Sequence, residues 1–303
     1  MPGLTYLLSI DIGINPSLGD FGPFELTWHG LFTAVGILLG FLFASRFISR
    51  VGITDDDAFS IMLIGTILGI VGARAMFVLE NRVQFEGEWL DVLRINEGGI
   101  TVYGAVIGGV LGAVAYGLVR RLPIMRGLDA AGFGLLLGMA IGRIGDLING
   151  EHIAKASDLP WAVVYTNPES PSWQLGSTHP ATTYEMIGDL LIIGLMLVIY
   201  AKFWSRRPGL TFFTGLVLYS AMRFGVSYLR LDSCPTGTDC PEYIIRDWMT
   251  FPQVVSVGTF AVGVLGLAWS LLRPRGQAQS AADASAAARS AACSSSTRRT
   301  RSR

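Results

Sequence analysis

Charge is what this chain has least of. Of its 303 residues only 15% are Asp, Glu, Lys or Arg, whereas 51% are hydrophobic, and the mean hydropathy is +0.48. A soluble globule carries about 25% charged residues, so the composition excludes a surface that faces water throughout and points to lipid as the main solvent. Acids and bases balance at 23 each, which leaves no basic footprint for nucleic acid. Cysteine is scarce, with three in all, and a small disulfide-built scaffold is excluded. Cys293 is expected as a free thiol near the C-terminus. Cys234 and Cys240 share one loop, where a disulfide and two free thiols are equally open, and no neighbouring His or Cys pair completes a metal site there. No Lys or Arg precedes Arg46, so no basic n-region marks a cleaved signal peptide and the first apolar segment is expected to stay in the membrane.

Long apolar runs are plentiful. Spanning a hydrocarbon layer of about 30 Å takes about 20 helical residues, and segments at about 28–47, 58–80, 98–119, 127–148, 184–204, 209–229 and 250–272 meet that length. They are apolar nearly all round, unlike the one-sided stripe of a helix on a soluble core. The fold class predicted is all-α, a polytopic bundle of about seven transmembrane helices.

Basic residues set the orientation. Arg46 and Arg50, then Arg120, Arg121 and Arg126, then Lys202, Arg206 and Arg207, then seven arginines beyond residue 272 alternate with connections rich in acid, among them Glu80, Glu86, Glu88, Asp91, Asp158, Glu169, Asp232, Asp239 and Glu242. The N-terminus is expected outside and the C-terminus inside. Residues 1–272 read as one transmembrane catalytic domain. Residues 273–303, rich in Ala, Ser and Arg without apolar period, read as a disordered cytoplasmic tail.

Glycines at four-residue spacing fall in helices 1 to 4: Gly36 and Gly40, Gly65 and Gly69, Gly104, Gly108 and Gly112, and Gly134, Gly138 and Gly142. Small residues on one helix face let backbones approach where lipid supplies no hydrophobic drive. These glycines are expected to build the bundle.

Arginine within such helices is expensive, roughly 2.5–3.5 kcal/mol at the bilayer centre on insertion scales. Arg74, Arg143 and Arg223 fall at one depth, in the outward halves of helices 2, 4 and 6, and predict a shared polar cavity near the outer leaflet. On helix 6, Tyr219, Arg223 and Arg230 fall within about 40° at 100° per residue. Guanidinium forks at headgroup depth suit a phosphate, so an anionic phospholipid is the expected ligand. Asp146, Glu151, Glu185 and Asp189 lie nearby as neutralising acids, and Asp189 reads first as a structural ion-pair residue.

The run Gly142-Arg143-Ile144-Gly145-Asp146 with Asn149 and Glu151, the pairs His179-Pro180 and Tyr184-Glu185, and Tyr219 four residues before Arg223 with Arg230 seven further on resemble the prolipoprotein diacylglyceryl transferases of bacteria. Gly98-Gly99-Ile100 leading to Tyr103-Gly104, Trp28-His29-Gly30 and Gln253 are similar to family positions as well, and the likeness spans about residues 25–260. The resemblance implies an inner-membrane enzyme that moves a diacylglyceryl group from phosphatidylglycerol to the lipobox cysteine of a preprolipoprotein signal peptide, forming a thioether and releasing glycerol phosphate, with no cofactor or metal. It implies that Arg143 holds the headgroup and Arg223 the departing phosphate, with Arg74 and Arg230 in support. Tyr103, His29, Tyr219, Glu151 and Asp146 are the candidate catalytic residues, and Asn149, His179, Tyr184 and Glu185 the supporting ones. Four positions depart from the family pattern: Tyr103 stands where many relatives carry histidine, His29 where many carry tyrosine, Asp146 in place of the usual Asn, and Ser227 where Glu is common. Tyr103 could act as a base only beside strong positive potential, and His29 is the second candidate. Competing readings are a small transporter, against which stands the lack of matching charges in the inward halves or of an inverted repeat, and an inactive lipid-binding relative.

Overall fold

The computed structural model describes residues 9–22, 24–80, 85, 89–93, 99, 101–203, 207–231, 243–245 and 249–272. Cys234, Cys240 and Cys293, residues Gly98 and Ile100, and the tail at 273–303 lie outside the described residues.

Each of the seven apolar segments is a helix: α1 (Trp28–Ile48), α2 (Asp55–Glu80), α3 (Val102–Val119), α4 (Ile124–Asn149), α5 (Ala181–Phe203), α6 (Leu210–Ser227) and α7 (Phe251–Leu272). All but α3 are long and apolar enough to cross a membrane, and α3 adds a shorter apolar stretch over Gly104–Val119. Polarity is inverted relative to a soluble protein. Asp129, Asp146, Asn149, Glu185 and Asp189 are buried, whereas Leu38, Leu111, Leu191 and Leu265 are exposed. Lipid solvates apolar side chains and leaves polar groups to find partners inside, and the chain is a multi-pass membrane protein.

Short strands, absent from the sequence expectation, accompany the helices: β1 (Ile10–Ile12), β2 (Ser17–Phe21), β3 (Phe24–Thr27), β4 (Val163–Tyr165), β5 (Tyr243–Ile245) and β6 (Met249–Thr250). β1 pairs in parallel with β4 at Ile10 to Val163, β2 with β3 as a hairpin, and β5 antiparallel with β6. Runs of two to five residues are too short for a periodic signal to declare them.

The chain divides into two compact units, residues 1–44 with 131–273, and residues 45–130 with 274–303. In the first, the glycines act as expected. A Cβ added at Gly36 would come within 2.6 Å of the Gly138 carbonyl, and one at Gly40 would collide with the Gly134 carbonyl, so α1 and α4 run backbone to backbone. Gly142 differs, since its nearest neighbour would be Thr33 Oγ1 at 4.0 Å. Phe133 meets Phe43 and Tyr200 edge to face, at 6.2 and 5.4 Å between centroids, and joins α1, α4 and α5.

In the second unit α2 and α3 pack through Gly72 against Gly104 and through Gly108 against the Leu68 carbonyl. Thr54 caps α2, its Oγ1 accepting the Asp57 N–H at 3.1 Å. The Asp57 carboxylate accepts from Thr54 Oγ1 and Tyr116 Oη, each at 2.9 Å, and from Arg120 Nε at 3.0 Å.

Candidate active site

Local sequence explains how each charged side chain is aimed. Thr27 caps α1, taking the Gly30 N–H at 3.1 Å, while Trp28 donates through Nε1 to the Asn15 carbonyl at 3.1 Å. The β2–β3 hairpin thus fixes the first turn of α1, which carries His29. Gly145 lets α4 close on that turn, since a Cβ there would lie 2.7 Å from the Trp28 carbonyl oxygen and 2.8 Å from His29 Cα. α4 stops at Gly150, whose φ of +70° suits glycine and turns Glu151 and His152 back toward the helix end. Three hydroxyls cap its last carbonyls: Tyr165 on Leu147 at 2.8 Å, Ser170 on Asn149 at 2.9 Å and Ser172 on Gly150 at 2.6 Å. Burial, followed by the Asp146 charge, pushes the Tyr165 hydroxyl above the ordinary phenol range and keeps it a donor.

Glu185, in the second turn of α5 and 1% exposed, is the centre of the cluster. Its Oε1 accepts from Arg223 Nη1 at 2.6 Å and Arg230 Nη1 at 3.0 Å, and its Oε2 pairs with Arg143 Nη2 at 2.6 Å. Three guanidinium groups from three parts of the chain meet one carboxylate. Asp146 forms a second centre. Its Oδ1 bonds His29 Nδ1 at close range, and its Oδ2 accepts from Arg143 Nη1 at 2.6 Å and lies 3.2 Å from His152 Nε2. Arg143 therefore bridges the two carboxylates.

His152 closes the ring and was not picked out as a site residue from the sequence. Arg230 Nη2 lies 2.6 Å from its Nδ1. Guanidinium nitrogens only donate, so Nδ1 accepts and Nε2 carries the proton offered to Asp146. Its one sequence signal was its place directly after the Asn149-Gly150-Glu151 run. Arg230 arrives by a different route from the one helical geometry suggested. α6 ends at Ser227, and Arg230 is held by a bridge to Ala154, with Lys155 N–H on the Leu229 carbonyl and Leu231 N–H on that of Ile153, each at 2.8 Å. Backbone pairing with the loop after α4, and not a shared helix face, delivers its side chain.

Asn149 donates through Nδ2 to Glu151 Oε1 at 2.5 Å, and Glu151 Oε2 lies 3.8 Å from His29 Nδ1. Tyr219 is within electrostatic range of Arg143, Arg223 and Glu185, and among the described residues none hydrogen-bonds its hydroxyl. Asp189 is fully buried, and among the described residues neither carboxyl oxygen has a hydrogen-bond partner and the structural ion pair expected of it does not form, because the arginines converge one turn away on Glu185. His179 and Tyr184 make a separate pair, Nδ1 to Oη at 3.4 Å, with Trp161 Nε1 donating to the same hydroxyl at 2.9 Å.

Arg74 and Tyr103 belong to the second unit. The Arg74 guanidinium donates to the carbonyls of Asp91, Val92 and Gly99 at 2.6, 2.8 and 2.8 Å and lies over the rings of Phe77 and Phe85. It ties the segment between α2 and α3. Tyr103 is the second residue of α3, and its side chain lies outside what the structure describes.

His29, Asp146 and Glu151 place three ligand-type atoms within 4.8 Å of one another. Both Asp146 oxygens are already engaged by His29 and Arg143, and the adjacent guanidinium would repel a cation.

The arrangement can do two things at once: a cationic fork can take a phosphate, and a partly exposed imidazole stands one carboxylate away. A family model described as prolipoprotein diacylglyceryl transferase matches residues 16–269. The chain is similar to proteins named phosphatidylglycerol–prolipoprotein diacylglyceryl transferase from Nostoc, 30% identical with 86% of this chain and 91% of the relative covered, from Clostridioides difficile, 30% with 80% and 88%, and from Thermotoga maritima, 33% with 77% and 80%. Extended over nearly the whole helical part, these likenesses show that the chain belongs to the prolipoprotein diacylglyceryl transferase family.

Proposed function

We propose that this protein transfers the diacylglyceryl group of phosphatidylglycerol to the lipobox cysteine of a preprolipoprotein signal peptide. Family membership supports the reaction, and the observation that carries it to particular residues is the meeting of Arg143, Arg223 and Arg230 on Glu185. Attack by sulfur on a glycerol carbon expels a phosphate, and fixed donors aimed at the charge that develops there lower the barrier. Arg223 commits only Nη1 to Glu185 among the described residues and keeps further N–H groups for phosphate oxygens. Arg143 and Arg230 complete the cradle, Glu185 keeps the three like charges together, and Arg74 acts at a remove by holding the segment that leads into α3. Tyr219 offers a hydroxyl donor to the headgroup. Asn149 and Glu151 brace the helix end beside His29, and His179 with Tyr184 shapes the entrance to α5. Tyr103 and His29 are both candidates for the base that takes the thiol proton. Residues 1–272 form the catalytic domain in the bacterial inner membrane, with the N-terminus outside, the site at outer-leaflet depth and residues 273–303 as a cytoplasmic tail; the alternation of basic and acidic connections supports this.

The test is direct. Purified protein is given phosphatidylglycerol and a lipobox peptide, and the peptide is weighed by mass spectrometry. A gain of one diacylglyceryl group that is lost in Arg143→Ala is expected. Lipid binding without transfer would identify a non-catalytic relative and overturn the proposal.

A further inference from the structure

We propose that His29, oriented by Asp146, is the base that takes the proton from the acceptor thiol. This rests on the transferase reading above. His29 and Asp146 lie 117 residues apart in sequence and contact each other. Together they make an imidazole held by a carboxylate. Asp146 binds Nδ1, which fixes the proton on that nitrogen and leaves the lone pair on Nε2, the tautomer a base requires. Among the described residues none hydrogen-bonds Nε2, and the His29 side chain is 44% exposed, so a thiol can reach it. The carboxylate is itself immobilised, buried and held by Arg143 at 2.6 Å and His152 at 3.2 Å.

The other two histidines of the chain are arranged differently. His152 has both ring nitrogens engaged, by Arg230 and by Asp146. His179 faces the Tyr184 hydroxyl, and among the described residues no carboxylate contacts it. Among the described residues, His29 alone of the three pairs an orienting acid with a nitrogen that nothing hydrogen-bonds. Asp146 joins it to the phosphate cradle, since the oxygen that does not touch His29 accepts from Arg143, whose other Nη pairs with Glu185. Base and leaving-group fork are thereby kept in register by a single side chain.

The step balances. The thiol proton passes to His29 Nε2, the sulfur electron pair forms the bond to the glyceryl carbon, and the carbon–oxygen bond to phosphate breaks with its electrons on the departing glycerol phosphate. The imidazolium then returns the proton to that phosphate, and no further reactant is needed. Asp146 stabilises the imidazolium in between.

The experiment compares two lipobox peptides, one with cysteine and one with selenocysteine kept reduced, whose selenol is ionised at neutral pH and needs no base. With His29→Gln, transfer to the cysteine peptide is expected to fall by about 100-fold, in the range of general base catalysis, while transfer to the selenocysteine peptide stays within about five-fold of the unsubstituted protein on the same principle. Activity on the second peptide also shows that the variant is folded and binds lipid. Arg143→Ala should fail with both peptides. Full activity of His29→Gln on the cysteine peptide, or an equal loss on both, would overturn the assignment. A thiol-selective loss in Tyr103→Phe and not in His29→Gln would move the base to Tyr103. If the unsubstituted protein modifies neither peptide, the transferase reading itself falls.

Discussion

Arg143 Nη2 lies 2.6 Å from Glu185 Oε2 while its Nη1 lies 2.6 Å from Asp146 Oδ2, so one guanidinium from α4 joins a carboxylate of α5 to a carboxylate of its own helix. Removing either acid should do more than remove an ion pair, because Arg223 and Arg230 share Glu185 and His29 depends on Asp146. Glu185→Ala is expected to destabilise the protein by about 3–5 kcal/mol, the range for stripping the partner from a buried charge, with a large fall in the thermal midpoint in detergent. Phosphatidylglycerol should raise that midpoint more in the variant than in the parent, since a phosphate can replace the lost counter-charge. An unchanged midpoint would refute a central role for Glu185.

Arg223→Lys keeps the charge and loses the fork. An ammonium is a point charge on a flexible stem and cannot present paired donors to phosphate oxygens. Turnover is expected to fall by about 100-fold or more, the size of loss seen when a donor to a developing anion is removed, and single-turnover transfer is the measurement. Equal activity would rule out the bidentate role.

His152 links Arg230 to Asp146. His152→Phe keeps a ring and removes the contacts to Arg230, Asp146 and Arg143, so KM for the lipid should rise about ten-fold while kcat changes less, a loss of about 1.4 kcal/mol of binding. Were kcat to fall with KM unchanged, His152 would belong with the reacting groups.

Gly145 sets the approach of α4 to the first turn of α1. Gly145→Val would push side-chain atoms into the space beside the Trp28 carbonyl and His29 Cα, within 3 Å of both, and should part His29 from Asp146. Transfer to the cysteine peptide is expected to drop at least about ten-fold, as misplacing a reacting group by an ångström does. Phosphatidylglycerol binding, which the proposed function assigns to Glu185 and its arginines, should persist. Loss of both together would mean that Gly145 matters for folding alone.

Tyr165→Phe removes one of three hydroxyl caps at the end of α4 and leaves the Leu147 carbonyl short of a donor. A loss of about 1 kcal/mol in stability is expected, read as a lower thermal midpoint with turnover nearly unchanged. A large activity loss would place Tyr165 in the site.

Helix number and extent were written in the chain's apolar runs, because a bilayer imposes a length on every span and admits few charges within it. Predicted and observed boundaries differ by a few residues, most at the start of α3, where 98 becomes Val102. The glycine spacing predicted close backbone packing, since small residues at every fourth position leave a flat face; that α1 meets α4 and α2 meets α3 was decided by the fold. The short strands are not legible in the sequence because runs of two to five residues carry no period.

The residue types of the site were also legible: arginine, glutamate and aspartate inside apolar helices are too expensive to be incidental, and the family motifs mark several of them. Which ones meet was decided only by tertiary structure. Arg230 reaches Glu185 through a strand-like bridge after α6 has ended, a long-range pairing that helical periodicity cannot encode. Among the described residues Asp189 has no partner, contrary to the ion pair expected of it, because one helical turn separates it from the place where three guanidinium groups meet on Glu185. His29 is a candidate base by residue type alone, and only the close packing at Gly145 sets it against Asp146. Local sequence determines propensity and the cost of burial, whereas the pairing of charges from distant segments depends on where packed helices bring their ends, and that is a property of the whole fold.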